Sequence, residues 1–250
     1  IAANVHPYVN GYYVGSECYI PAKDYITSLD GASYRYAFER QWMFYKVCGM
    51  LLYNPNTHDE FFEDAFEQRF PKYGEKLFEA QAKASKVPLV IASYQNATWD
   101  FTLYTEGMLQ TSINDKGKAV RLISLDDMAD KIPMDPTYLS ISDFLANENN
   151  LPDDKISPVH LADSLESFCQ EVLLEVKSIR PGKNIDLLYE VSDIKAWANL
   201  GLYFSDKLRA AVEFRRYKAS NDMNDLNKAI EYLTKATVYW HTLVEVTNPV

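Results

Sequence analysis

YRYAFERQWMFYKVCGMLLYNPNTHDEFFEDAFEQRFP, residues Tyr34–Pro71, decides the fold. Between Ala37 and Leu52 the only charged residues are Glu39, Arg40 and Lys46. Arg35, Glu39 and Lys46, spaced by four and seven, fall on one narrow helical stripe. The rest is Tyr, Phe, Trp, Met, Val, Cys and Leu, so the pattern predicts a helix buried on most sides, with Trp42 in the core. Tyr53-Asn54-Pro55 stops it, because proline lacks an amide proton and disfavours helix in the residue before it. Thr57-His58-Asp59-Glu60 predicts a capping box that starts a second helix. Phe61, Phe62, Ala65, Phe66 and Phe70 give that helix an apolar face, and Pro71 ends it.

Downstream, Tyr73–Lys86 reads as a helix broken at Val87-Pro88, and Leu89–Asp100 resumes an apolar pattern. Residues 101–157 are the least regular. Asn114-Asp115-Lys116-Gly117 is a turn, Pro133, Pro136 and Pro152 punctuate a polar stretch, and Ile141–Asn147 reads as a short helix. Two readings stay open for this region: an ordered loop covering a cleft, or an insertion. From Ser157-Pro158, an N-cap followed by proline at the first helical position, the periodicity is clear. A helix runs to about Ile179 and stops at Arg180-Pro181-Gly182. A long one follows over about Leu187–Ser220, with Ile194, Trp197, Gly201, Phe204, Leu208 and Ala211 spaced by three and four. The last starts near Asn221-Asp222 and carries Leu226, Ile230, Leu233, Thr237, Trp240 and Val244. Three antiparallel helices with short connections predict a bundle, with Trp197 and Trp240 on its seams. No period of a solenoid recurs.

The chain has 250 residues, 47% apolar and 14% aromatic, with 18 Tyr and a net charge of −10. This is a globular composition. The acid excess argues against nucleic acid and anionic membranes as partners, and no apolar run reaches the ~18 residues of a spanning helix. Cys18, Cys48 and Cys169 are odd in number and lack metal spacing. His6, His58, His160 and His241 do not cluster. Neither a metal nor any other cofactor is expected. With nine Gly and no glycine-rich phosphate loop, nucleotide binding has no support. Asn96-Ala97-Thr98 is a glycosylation sequon of a kind that arises often by chance.

Residues 1–32 differ from the rest of the chain. Asn10-Gly11 and Gly15-Ser16 flank Tyr12-Tyr13-Val14, and Cys18-Tyr19-Ile20 ends at Pro21, so one or two short strands are expected. His6, Tyr8, Tyr12, Tyr13, Glu17, Tyr19, Lys23, Asp24 and Tyr25 crowd this stretch. Rings and carboxylates on strands and loops can furnish a sugar site; they can equally form a packed core edge with Tyr hydroxyls facing water. Glu17 and Asp24 are the best-placed candidate carboxylates, since a glycosidase needs one acid with a raised pKa and one ionised partner ~5–10 Å apart. Solvated loop carboxylates are the alternative. Tyr12, Tyr13 and Tyr19 are the candidate substrate-binding rings, and Trp99, before Asp100 and Tyr104, is the candidate stacking platform. The opening IAANVHPYVNGYYV reads as the interior of a domain, and an upstream portion is expected elsewhere.

Two stretches carry a resemblance. Glu39-Arg40-Gln41-Trp42-Met43-Phe44-Tyr45 with Gly49-Met50-Leu51-Leu52-Tyr53-Asn54-Pro55, followed by Phe66, Arg69, Phe70 and Pro71, resembles a segment of large secreted bacterial glycoside hydrolases. In those enzymes it follows the last strand of the catalytic barrel. Asp193-Ile194-Lys195-Ala196, Leu200-Gly201-Leu202-Tyr203-Phe204 and Lys207-Leu208-Arg209-Ala210-Ala211, with Ala236 and Trp240, is similar to their C-terminal helical domain, also found in α-glucuronidase-like architectures. The resemblance spans about Tyr12–Trp240 with wide gaps. It implies that residues 1–32 hold the last strand or strands of a (β/α)8 barrel, where chemistry sits at the C-terminal strand ends. It assigns no named catalytic residue, and most of the barrel is absent.

The expected fold is mainly α: a helical bundle domain with a short N-terminal β/loop remnant of a (β/α)8 barrel. The expected division is 1–55, the barrel end; 56–156, a helical region with an irregular insertion; and 157–250, the three-helix bundle. The resemblance implies the C-terminal portion of a glycoside hydrolase acting on a complex polysaccharide, inactive as an isolated piece and secreted or held in the periplasm or cell envelope. Its partners would be carbohydrate and the rest of the parent polypeptide. The alternative is a non-catalytic helical module binding a glycan or a protein in a cell-envelope complex.

Overall fold

The computed structural model describes residues 30–95, 110–113, 119–122 and 124–248. Its elements in chain order are α1 (Ala37–Arg40), α2 (Trp42–Tyr53), α3 (Glu60–Arg69), α4 (Gly74–Ala84), α5 (Lys86–Gln95), β1 (Gln110–Ile113), β2 (Ala119–Leu122), α6 (Leu125–Asp130), α7 (Ile141–Ala146), α8 (Pro158–Val176), α9 (Ile185–Ser220) and α10 (Met223–Thr247). The protein is mainly α, and β1 and β2 pair as one antiparallel ribbon. The turn expected at 114–117 and the expected N-terminal strands lie outside the described residues.

Helix α9 is the axis on which the fold is built. Its 36 residues extend roughly 54 Å at 1.5 Å per residue. The Asn184 side chain caps its start by accepting from the Leu187 amide at 2.9 Å. Asn221 ends it at φ 56°, in the left-handed conformation that asparagine tolerates. Ala198, Leu202, Phe204, Leu208 and Ala211 are buried along its middle because α8 and α10 flank it and α4 to α7 cover the remaining sides. Helix α8 begins as expected, with the Ser157 hydroxyl accepting from the His160 amide at 3.1 Å and Pro158 at the first position. In α10 Asp222 is the cap, accepting from the Asn224 amide at 2.9 Å.

Gly201 brings these helices close. A Cβ there would lie 2.4 Å from Cys169 Sγ on α8 and 3.2 Å from Val87 Cγ2 on α5. A side chain would force those helices apart. The buried Ser205 hydroxyl donates to the Ala162 carbonyl at 2.7 Å and ties α9 to α8 a turn further on. Residues 124–157 are an ordered strap. The Leu139 amide donates to the Ile156 carbonyl at 3.0 Å, the Ile156 amide to Thr137 at 2.8 Å, and the Met134 amide reaches Ser93 on α5 at 2.8 Å.

Four local expectations are corrected. The first predicted helix is two, broken at Gln41, and not one residue of α2 is buried. Its apolar surface exceeds what the described neighbours cover. The capping box at Thr57 does not form. The Thr57 hydroxyl donates to the Asn54 carbonyl at 2.7 Å, so it serves the turn after α2, and Asp59 precedes α3 without a side-chain cap. The break expected at Val87-Pro88 falls earlier, at Ser85. Pro88 sits in the first turn of α5, where the amide it lacks has no intrahelical partner to lose. Trp42, Trp197 and Trp240 are half-buried against the core rather than within it, and Trp240 meets the Tyr203 ring at 5.1 Å.

Candidate functional site

Glu17, Asp24, Tyr12, Tyr13, Tyr19 and Trp99 lie outside the described residues. Among the described residues, a polar constellation forms a seam on α9. Asp186, Tyr189, Glu190 and Asp193 recur at i, i+3, i+4 and i+7, so they share one helix face. Opposite them stand Ser33, Arg40, Trp42 and Arg69, delivered by the stretch before α1, by α1 and α2, and by the end of α3.

Each carboxylate meets donors. Asp186 accepts from the Ser33 amide at 2.9 Å, from the Ser33 hydroxyl, and from Arg69 Nη2 at 3.3 Å. Glu190 Oε1 accepts from the Trp42 indole Nε1 at 2.7 Å. Asp193 pairs with Arg40, which also donates to the Tyr189 carbonyl at 3.4 Å. The cations lie over rings as well: Arg40 is 5.2 Å from the Tyr189 centroid and Arg69 4.8 Å from that of Trp42. The Trp42 ring meets Phe66 edge-on at 5.0 Å, which locks its orientation from α3. Glu39 holds α1 in place by accepting from the Arg35 and Tyr36 amides, both at 2.8 Å.

Burial sets the electrostatics. Glu190 is 7% exposed, and burial lifts its carboxyl above the ordinary range against the Trp42 hydrogen bond and the attraction of Arg40 and Arg69. Asp193, with 43% of its side chain exposed, is lifted by its partial burial, opposed by Arg40. For Arg40, burial works against the charge, but Asp193 and Glu190 outweigh it and hold the guanidinium above its usual range. Glu190 Oε1 is taken by the Trp42 indole, and Asp186 and Asp193 are taken by Ser33, Arg69 and Arg40. The chemistry of the seam is therefore adhesion between two parts of the chain. Apolar periodicity does not reveal it; its signal in the sequence is three carboxylates, Asp186, Glu190 and Asp193, at i, i+4 and i+7 opening a long helix.

A second polar set closes the bundle. Arg209 on α9 reaches Asp163 at 2.7 Å and Glu166 at 2.6 Å on α8, and Asp206 at 2.9 Å on its own helix. Beside it, Ser157, His160, Asp163, Ser164, Ser167 and Phe168 line a shallow open groove along α8. No group of His, Cys, Asp and Glu among the described residues could hold a metal ion. No described helix is long and apolar enough to cross a membrane.

No protein-family model matches the chain, and no curated protein matches it. A solved structure described as a "GH138 enzyme targeting pectin rhamnogalacturonan II" matches it with a TM-score of 0.67 and 13% identity over 86% of this chain. The chain spans about a third of that protein, 32% of its length. At that identity the likeness is one of fold: the chain shares the helical architecture of part of a glycoside hydrolase.

Proposed function

We propose that the chain is the C-terminal portion of a longer glycoside hydrolase acting on a complex polysaccharide. The single observation carrying this reading is the likeness of fold, over most of this chain, to part of an enzyme of pectin rhamnogalacturonan II. The resemblance of residues 39–55 and 193–211 to secreted bacterial glycoside hydrolases with an α-glucuronidase-like architecture supports it. In this reading residues 1–55 end a catalytic barrel, 56–156 join it to the bundle, and 157–250 are the helical domain. The enzyme works outside the cell or in its envelope. Glu17 and Asp24 are the catalytic carboxylates, Tyr12, Tyr13, Tyr19 and Trp99 stack on sugar, and the barrel's other strands supply the opposing wall. A barrel end alone cannot hold two carboxylates in register across a glycosidic bond, so the 250-residue piece turns nothing over by itself.

The test assays the intact protein, its Glu17→Gln variant and the 250-residue chain on pectic and other plant and algal polysaccharides. The intact protein is expected to release sugar, and the variant to lose at least about tenfold in kcat/KM, as for a lost catalytic or orienting carboxylate. Unchanged turnover in the variant removes Glu17 from the site. Turnover by the 250-residue chain refutes the need for the rest of the barrel.

A second reading is a non-catalytic helical module that binds a glycan or protein in a cell-envelope complex. The α8 groove favours it, since hydroxyls, an imidazole and a carboxylate beside the Phe168 ring suit sugar hydroxyls and a sugar face. Glycan binding that survives Glu17→Gln but is lost on His160→Ala, without turnover in either protein, would select it.

A further inference from the structure

Helix α2 is unexplained by its own surroundings. Lys46 is its single charge in twelve residues, and no residue of it is buried. Trp42 and Met43 rest against the core, and Trp42 is tied to Glu190, but beyond them the helix leaves the core. Phe44 is 52% exposed and Tyr53 81%. Phe44, Tyr45, Cys48, Gly49 and Leu52 recur at i, i+1, i+4, i+5 and i+8 and share one uncharged side.

Gly49 is the informative residue. A Cβ on Gly74 would meet Glu67 Cα at 2.4 Å, and one on Gly201 would meet Cys169 Sγ at 2.4 Å, so packing within the chain accounts for both. A Cβ on Gly49 would meet nothing within 4 Å. Glycine inside a helix is unfavourable relative to alanine, and its use there is to let another backbone come close. No described residue comes close to it.

We propose that this side of α2 is the docking surface for an apolar-faced part of the same polypeptide that lies outside these 250 residues, with Gly49 at the point of closest approach. Three observations choose that occupant. The face carries no charge, so what covers it is apolar. The seam holds the root of α2 on α9, so the face is presented in a fixed direction. The chain matches about a third of its glycoside hydrolase neighbour, so a protein of that kind has two further thirds from which the occupant comes. The inference rests on the proposal that the chain belongs to a longer polypeptide; it does not depend on the reaction that polypeptide carries out.

The test is the labelling of the Cys48 thiol with a maleimide in a Cys18→Ser background, where Cys169 is fully buried and silent. In the 250-residue chain Cys48 labels readily; in the full polypeptide it is expected to label at least about tenfold more slowly, as for a residue moved into a packed interface. Gly49→Leu leaves the melting temperature of the 250-residue chain unchanged or raised. In the full polypeptide the same substitution lowers it and restores labelling. Equal rates in the two proteins, or indifference of the full polypeptide to Gly49→Leu, overturns the proposal. So does slow labelling of the 250-residue chain alone, whether relieved by deleting residues 1–29, which makes that segment the cover, or by dilution, which makes a second copy the cover. Neither readout uses turnover. A protected Cys48 in a protein inert on every polysaccharide would leave the docking surface standing and remove the glycosidase reading.

Discussion

Glu190 shows how one residue can join two parts of a chain and resist being there. Its carboxyl is buried, so the ionised form is less favourable in the fold than in water, although the Trp42 indole and two guanidiniums lessen the cost. A raised folded pKa means that the native state binds this proton more tightly than the unfolded state does. The contribution is complete below the unfolded value and is lost as pH rises through the folded one. Glu190→Gln keeps an acceptor for Trp42 and removes the charge, while Arg40 retains Asp193 and Arg69 retains Asp186. The variant should therefore gain stability relative to the parent as pH rises from about 4 to 8, the range above the unfolded carboxyl value. Denaturant titrations of both proteins across that range check it. A stability difference constant with pH would show that Glu190 carries the same charge in both states. Trp42→Phe complements this, because it removes the N–H and leaves the ring: about 1–3 kcal/mol should be lost at neutral pH as the buried carboxylate loses its donor.

At the scale of elements, the caps were the most legible feature and the exposure of α2 the least. Ser157-Pro158 and Asp222 start α8 and α10 where side-chain chemistry says they should, because a cap is decided by residues a few positions apart. The Thr57 box had the right letters, but its hydroxyl found the nearer Asn54 carbonyl. Hydrophobicity in α2 states that the helix must be covered and does not say by what. The carboxylate seam escaped for a related reason: its partners lie about 150 positions away, and no local spacing names them. The candidate sugar-site residues, Glu17 and Asp24 among them, stay at the level of sequence, outside the described residues. Gly201 stands in the three-and-four spacing of the long helix, and the structure explains its size. Gly201→Ala puts a methyl 2.4 Å from Cys169 Sγ and should cost about 1–3 kcal/mol by overpacking. Removing the sulfur with Cys169→Ala should recover part of that loss in the double variant. A double-mutant cycle measures the coupling, and strictly additive losses would place the strain elsewhere.

At the scale of the whole molecule, the described residues 30–70 are joined to α9 by the seam and by the Phe66 cluster. Helices α3 to α9 share one continuous buried core, α10 packs Tyr239, Trp240 and Leu243 against it, and Arg209 links α8 to α9 at its edge. Residues 30–70 add α1, an α2 with no buried residue, and an α3 anchored through Phe62, Ala65 and Phe66. Besides the Phe66 cluster, the ties to α9 include Ser33–Asp186, Arg40–Asp193, Trp42–Glu190, Arg69–Asp186 and the Tyr34 ring on Tyr189 at 5.8 Å. Partly exposed ion pairs hold a segment in place with modest net energy, because desolvation and side-chain ordering offset most of the attraction. Native-state hydrogen exchange should therefore resolve two openings in the 250-residue chain: a sub-global one releasing residues 33–53, and a global one releasing the α9 amides between Ala198 and Val212. Asp193→Asn takes away the partner of Arg40, whose side chain is 10% exposed, and should lower the first opening by about 1–2 kcal/mol, discounted for the half-exposed Asp193 carboxylate, while leaving the second unchanged. Equal protection across both regions, or a drop shared by both, would mean that the seam is part of one cooperative core. A selective drop would identify Asp186, Glu190 and Asp193 as the joint through which the bundle holds the segment that carries α2.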